Sequence, residues 1–277
     1  MLIHALNLYP VKALAGLSLH RALLTSKGLA VPLGDGFLYD RQWMLINAAG
    51  QMVTQRQLPA LALLQPQIQG EILYLTASGR APIALNQGEM SLVTRHSQVW
   101  KTPVEVQENR AVSAWLADMF PAQGLTLVSL AAPRAMLVER FGPNSSTHFA
   151  DAAPYLIANT ASLAALNQAL LDEGEACVDE RRFRANIWLS GLRAFAEHAL
   201  PSLHLPQGII RMVDHCQRCS VITVDPDAGV FAPNATPFKT LARLNAMPAQ
   251  PKAPAFGVNA VFEQLDTPWL EVGEPFL

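Results

Sequence analysis

Cysteine is scarce in this chain, with three in 277 residues. So small and odd a number does not build the disulfide framework of a small secreted domain. It points to a reducing, cytoplasmic setting, or else to an organelle form without its targeting segment. Charge is scarce too: 15% of residues are charged and the net is −2. No broad basic surface is offered to nucleic acid or to an anionic membrane. No run has the length and even apolarity of a membrane-spanning helix. The N-terminus, Met1-Leu2-Ile3-His4, opens as an alternating strand, with no signal-peptide pattern. There is no G-x-G-x-x-G, Walker A or G-x-S-x-G, and the histidines form neither H-x-x-x-H nor H-E-x-x-H. Nicotinamide, nucleoside triphosphate and hydrolase chemistry therefore have no local support.

What is present is apolar. Hydrophobic residues make up 51% of the chain, enough for one large domain or two closely packed ones. The first 110 residues read as short strands: Leu2–Tyr9, Leu17–Leu24, Trp43–Asn47, Gln51–Thr54, Ile72–Thr76 and Val99–Val106. Turns such as Ala48-Ala49-Gly50, Ser78-Gly79 and Asn86-Gln87-Gly88 separate them. That pattern suggests an antiparallel barrel or curled sheet. Ala111–Phe120 is the first helix, with Val112, Trp115, Leu116 and Met119 on one face. Pro121-Ala122-Gln123-Gly124 breaks it, which places a boundary between domains 1–120 and 121–277.

The second half mixes the two periodicities. Asn159 is suited to cap a helix over Thr160–Leu171, with Leu163, Leu166 and Leu170 on one face. Strands are expected at Asn186–Ser190, Ile209–Val213, Ser220–Val224, Val258–Phe262 and Trp269–Val272. Thr236-Pro237 should start a helix over Phe238–Asn245. Pro248 to Pro254 reads as a proline-rich loop.

The chemistry-bearing stretch is His215-Cys216-Gln217-Arg218-Cys219. Its C-x-x-C spacing admits several readings. A zinc site needs four ligands, and only His215 and Cys177 are available to join the pair. A thioredoxin-like pair opens a helix, whereas Val-Ile-Thr-Val here favours a strand. Two buried cysteines acting as small hydrophobes fit as well. So does one thiolate on a soft-accepting metal held mainly by a non-protein ligand, with Arg218 supplying positive charge. Lys12, Arg41, Arg56 and Arg184 each lie beside an apolar segment, where an unpaired charge is costly. Each could form a local ion pair; together they suit a phosphate pocket.

Several of these stretches, taken in order, carry a resemblance. Tyr-Pro-Val-Lys at 9–12, Tyr-Asp-Arg-Gln-Trp at 39–43, Val-Thr-Gln-Arg-Gln at 53–57, Phe-Arg-Ala-Asn at 183–186 and Cys-Gln-Arg-Cys at 216–219 resemble the molybdenum cofactor sulfurase C-terminal (MOSC) proteins. They are most similar to the branch with an N-terminal β-barrel, which includes the mitochondrial amidoxime-reducing component.

The resemblance implies a β-rich α+β fold, with an N-terminal β-barrel-like domain packed against a C-terminal MOSC β-barrel carrying a few helices. It implies a molybdopterin-type molybdenum cofactor with Cys219 as catalytic metal ligand. Lys12, Arg41, Arg184 and Arg218 would form the pterin and phosphate pocket. Asp151, Ala152, Ala153, Asn186 and Asn259 fall on further pocket positions. Relatives often carry hydroxyl residues where this chain has Ala13, Ala152 and Ala153, and serine where it has Gln217. The implied activity is reduction of N-hydroxylated small molecules such as amidoximes and hydroxylamines. Without the ferredoxin-like domain of some bacterial relatives, electrons would come from a separate protein. A cofactor carrier or sulfur-transfer protein is the alternative. His215 and Asp151 are the candidate proton donors.

Overall fold

The computed structural model describes residues 1–86, 88–262, 264 and 267–277. Gln87, in one of the expected turns, lies outside the described residues. The fold is strand-rich α+β, built from curled sheets. Among the described residues the largest sheet has eight strands. Seven run in the order Ser202–Leu205, Gly208–Gln217, Gln250–Phe262, Tyr155–Asn159, Ile187–Ser190, Leu2–Leu8 and Leu17–Leu19. The short strand Ala246–Met247 pairs on Gln250–Phe262.

Tyr155–Asn159 and Ile187–Ser190 are parallel, so the chain must cross over between them. The helix Thr160–Asp172 makes part of that crossing. Asn159 caps it, its Oδ1 accepting from the Ala161 N–H at 3.1 Å, and Leu166 and Leu170 are buried.

Four smaller sheets complete the frame among the described residues, one of them the two-stranded pair of Arg134–Ala135 with Ser146–Thr147. Another holds Thr94–Val99, Thr102–Asn109, Thr126–Leu130, Trp43–Ile46 and Met52–Val53. A third holds Trp269–Glu271, Arg21–Thr25, Gly28–Leu33 and Gly36–Tyr39. A fourth holds Ile83–Ala84, Ile72–Thr76 and Gln65–Gln69. The first strand of the chain therefore pairs with Ile187–Ser190, and the last with Arg21–Thr25. The main core follows this exchange, with Leu8, Leu24, Trp43, Tyr155, Ile187 and Leu270 in one buried cluster. The Tyr155 hydroxyl fastens the two halves, donating to the Thr25 carbonyl at 2.6 Å and accepting the Thr25 N–H at 2.8 Å.

The structure corrects four expectations. Leu17–Leu24 is two strands, Leu17–Leu19 and Arg21–Thr25, which enter different sheets. Val99–Val106 is not one strand: the chain reverses at Trp100, whose φ is +56°, and joins Thr94–Val99 to Thr102–Asn109 as a hairpin. No glycine or proline marks that turn. Ser220–Thr223 is a 3₁₀ turn, not a strand. Its hydrogen bonds are local, from the Thr223 hydroxyl to the Ser220 carbonyl at 2.7 Å and from the Val224 N–H to the Val221 carbonyl at 3.0 Å. Local bonds of that kind compete with a ladder. Finally, Pro248 to Pro254 is mostly strand. Gln250–Phe262 runs through it; among the described residues the proline segment takes Ala246–Met247 as its ladder partner, and the Pro254 carbonyl accepts the Arg218 N–H at 2.8 Å. Proline fits there because extended backbone matches its fixed φ, and few ladder donors are required at an edge.

Candidate functional site

The strands converge on one cleft, which encloses about 790 Å³ of empty space, part of it open to solvent. Lys12 reaches it from the loop after the first strand. That loop is laced to residues 40–43: the Arg41 N–H donates to the Tyr9 carbonyl at 2.7 Å, and the Lys12 N–H to the Trp43 carbonyl at 2.8 Å. Arg184 arrives just before Ile187–Ser190. Arg218 and Cys219 follow the end of Gly208–Gln217, and Asn259 comes from Gln250–Phe262. Asp151, Ala152 and Ala153 lead into Tyr155–Asn159. All ten residues expected from the sequence line this cleft. They come from separate strand ends across most of the chain, brought together by the exchange of strands between the halves.

Backbone strain concentrates here. Ala13, Arg41 and Arg184 have φ of +75°, +49° and +55°. A non-glycine residue in that region costs about 1–3 kcal/mol, and three such residues line one cleft. The strain aims two guanidinium groups at one ring. Arg41 and Arg184 sit 4.5 and 4.4 Å from the centroid of the buried Tyr9 ring. Arg41 donates to Asp40 Oδ2 at 2.5 Å and to the Arg184 carbonyl at 2.9 Å. Arg184 donates to the Leu14 carbonyl at 2.5 Å. Burial, with Arg41 adjacent, pushes the Arg184 guanidinium down to about 10.

Lys12 is 6% exposed and donates to the Phe149 carbonyl at 2.7 Å and to Asp151 Oδ1 at 2.5 Å. Burial lowers its pKa, and the Asp151 carboxylate opposes the shift. Desolvation acts to raise the Asp151 carboxyl. The Lys12 charge and hydrogen bonds from Lys12 and Trp100 outweigh it and hold Asp151 at about 2. Asp151 is therefore ionised at neutral pH and is not a proton donor. The other candidate, His215, is not among the lining residues. Its ring lies 4.1 Å from that of His198, where it packs rather than facing the cleft.

The cysteine pair divides. Cys219 is exposed and Cys216 is partly buried; both line the cleft and both are free thiols. Arg218 donates to Cys216 Sγ at 3.0 Å and to the Phe183 carbonyl at 2.6 Å, so the thiol it contacts is that of Cys216. Burial raises the Cys216 thiol despite that contact. Among the described residues no group of three His, Cys, Asp or Glu is placed to hold a metal. The four-ligand reading with Cys177 and His215 has no geometric support.

Asn186 and Asn259 line the cleft while bracing its walls. Asn186 Oδ1 accepts the Leu156 N–H at 3.1 Å, and Asn259 Nδ2 donates to Asp214 Oδ1 at 2.7 Å. The lining carries five cationic side chains, Lys12, Arg41, Arg56, Arg184 and Arg218, against the Asp151 carboxylate. Within this set Arg184 Nη2 and Arg218 Nε are buried without a hydrogen-bond partner among the described residues.

Two neighbours escaped sequence reasoning. Trp100, at the hairpin tip, donates from Nε1 to Asp151 Oδ1 at 2.8 Å, and the Arg56 guanidinium lies 4.3 Å over its ring. Arg134 donates to the Ala150 carbonyl at 2.6 Å and steadies the segment before Asp151. Arg56 stood out as a charge beside apolar residues. Trp100 read as the interior of a strand, and nothing local marked Arg134.

The chain also has recognisable relatives. The profile of the MOSC N-terminal beta barrel domain matches residues 1–123, and that of the MOSC domain matches residues 144–276. The chain is 32% identical to mitochondrial amidoxime-reducing component 1 of Homo sapiens, over 97% of this chain and 80% of that protein. It is 28% identical to mitochondrial amidoxime reducing component 2 of Bos taurus, with the same coverage. A molybdenum cofactor sulfurase of Bos taurus is 29% identical over 81% of this chain, which spans 27% of that longer protein. No helix among the described residues is long and apolar enough to cross a membrane.

Proposed function

The chain belongs to the MOSC family, with both the N-terminal beta barrel domain and the MOSC domain, and from that premise we propose that it is a molybdenum-cofactor-dependent reductase of N-hydroxylated compounds. The observation that supports this best is the cleft itself, where an accessible thiol stands beside five cations and one carboxylate.

The residues present suit a molybdopterin-type cofactor. Its phosphate needs cations not already neutralised, and the buried, unpartnered nitrogens of Arg184 and Arg218 supply open donors. A soft metal needs a thiolate within reach, and Cys219 is exposed at the cleft. When bound, the cofactor would supply two-electron redox chemistry.

The chain's own residues do the rest. Lys12, Arg41, Arg184 and Arg218 bind and orient the anionic group. Cys219 offers its sulfur to the metal. Ionised Asp151 holds the Lys12 ammonium in place and contributes no proton. Trp100 and Arg56 stand beside it, with the indole tied to Asp151. Conversion of an N-hydroxyl substrate to amine or amidine and water consumes two electrons and two protons, with the electrons delivered by a separate protein.

The test begins with protein purified from a host that makes the cofactor. Molybdenum per chain is measured, then benzamidoxime reduction with an artificial electron donor. Cys219→Ser should lower turnover at least ~100-fold, because a hydroxyl is a poor substitute for a thiolate on this metal. Cys216→Ser should keep substantial activity. Equal loss in both variants sinks the assignment of Cys219 as ligand. Bound molybdenum without turnover favours a cofactor carrier or sulfur-transfer protein. Absence of molybdenum from the purified protein sinks both readings.

A further inference from the structure

Of the five cations that line the cleft, four are committed to partners. Lys12 meets Asp151, and Arg41 meets Asp40. Arg184 donates to the Leu14 carbonyl, and Arg218 to the Phe183 carbonyl. Arg56 differs. Its side chain spends only Nε, on the neutral Thr54 hydroxyl at 3.3 Å. Its terminal nitrogens, Nη1 and Nη2, have no hydrogen bond or ion pair among the described residues, and both reach solvent.

Its place is fixed from both sides. Thr54 is buried, and its N–H and hydroxyl both donate to Gln57 Oε1, at 3.0 and 2.8 Å. The same hydroxyl accepts the Arg56 N–H at 3.3 Å, so the turn closes before the side chain leaves it. The guanidinium then lies 4.3 Å over the Trp100 ring. Trp100 is anchored in turn. It stands at a hairpin tip with φ of +56°, and its Nε1 donates to Asp151 Oδ1 at 2.8 Å. A non-glycine residue in that conformation carries strain, and such strain gathers at functional sites. A carboxylate partner would neutralise the guanidinium. An aromatic face holds it while leaving its charge in force.

We propose that Arg56, held on Trp100, selects substrates by charge: it favours N-hydroxylated compounds that carry an anionic group such as a carboxylate, and disfavours cationic ones. This rests on the reductase reading for its substrate class. The same charge acts on the product. An amidoxime is neutral near pH 7, whereas the amidine formed from it is a cation. Arg56 therefore weakens the hold on product relative to substrate. Trp100 is a positioning residue, acting through the guanidinium it supports.

The test measures kcat/KM of the molybdenum-loaded full chain for benzamidoxime, para-carboxybenzamidoxime and para-trimethylammonio-benzamidoxime. Selectivity is the ratio of the carboxylate substrate to the cationic one. Two unit charges in contact in water interact by about fivefold, and the two substituents pull in opposite directions. Arg56→Gln should therefore lower the ratio by about tenfold or more, mainly through KM. Arg56→Lys keeps the charge and should keep the preference. Trp100→Leu removes the supporting ring and should lower the ratio about threefold. Benzamidine, the cationic product, should inhibit Arg56→Gln at a lower concentration than wild type. The wild-type ratio should shrink as ionic strength rises.

A ratio unmoved by Arg56→Gln, or lost equally in Arg56→Lys, overturns the proposal while leaving the reductase in place. An unchanged ratio in Trp100→Leu removes the part given to Trp100. Molybdenum per chain should be the same in Arg56→Gln as in wild type. Its loss would make Arg56 a cofactor ligand and also overturn the proposal. A wild-type ratio indifferent to salt overturns it without any variant. If benzamidoxime itself is not reduced, the reductase reading falls and the substrate preference falls with it.

Discussion

Lys12 and Asp151 show how much of the site rests on single contacts. The ammonium is buried, the carboxylate is more than half exposed, and they meet at 2.5 Å. The folded Asp151 value of about 2 lies below the ordinary value of 3.8. A depressed carboxyl contributes stability above its unfolded pKa and loses it as pH falls through the folded value. Wild type should therefore exceed Asp151→Asn in Tm above about pH 4, with the gap closing toward about pH 2. Solvent screening keeps the difference to no more than about 1 kcal/mol. An offset constant across that range would contradict the pairing. Lys12, Arg41, Arg56 and Arg184 stood out in the sequence because a charge beside an apolar segment needs a reason, and Arg218 by its place between the two cysteines; all five line the cleft. Trp100 was not legible, because its role depends on a reversal that no turn residue announces.

Elements were legible where one periodicity ruled the segment. The helix at 160 stood out through its cap and leucine face, and the first strand through its alternation. The misses have different causes. Ser220–Thr223 satisfies itself locally, and Gln250–Pro254 extends because the following residues are locked into the central sheet.

Gly257 is one such lock. Its φ is +73°, and a Cβ there would lie 2.5 Å from the Ile157 carbonyl oxygen, a backbone atom that cannot swing aside. Gly257→Ala should cost more than about 1 kcal/mol and lower Tm by at least ~2 °C, read by calorimetry. It should also loosen the Asn259 side of the cleft. An unchanged Tm would mean that the two strands can separate freely at this point.

At the scale of the whole molecule, the two halves are exchanged rather than merely stacked. Leu2–Leu8 covers the edge of Ile187–Ser190, and Trp269–Glu271 pairs with Arg21–Thr25. We therefore expect the intact chain to unfold in one calorimetric transition. A fragment of residues 121–277 would lack Leu2–Leu8 and present an open strand edge to solvent, an invitation to aggregate. It should fail to give the sharp near-UV circular dichroism of a packed core. Two resolved transitions, or a well-packed fragment, would show that the strand exchange is dispensable.

The same exchange dictates an order of assembly during synthesis. The cleft draws on residues from Lys12 to Asn259, and Arg21–Thr25 gains its outer partner only when Trp269–Glu271 has emerged from the ribosome. No nascent chain of intermediate length owns a complete binding surface. Whatever the cleft carries meets its full set of contacts only after Asn259 has been made, and the early strands wait for partners that come late in the chain.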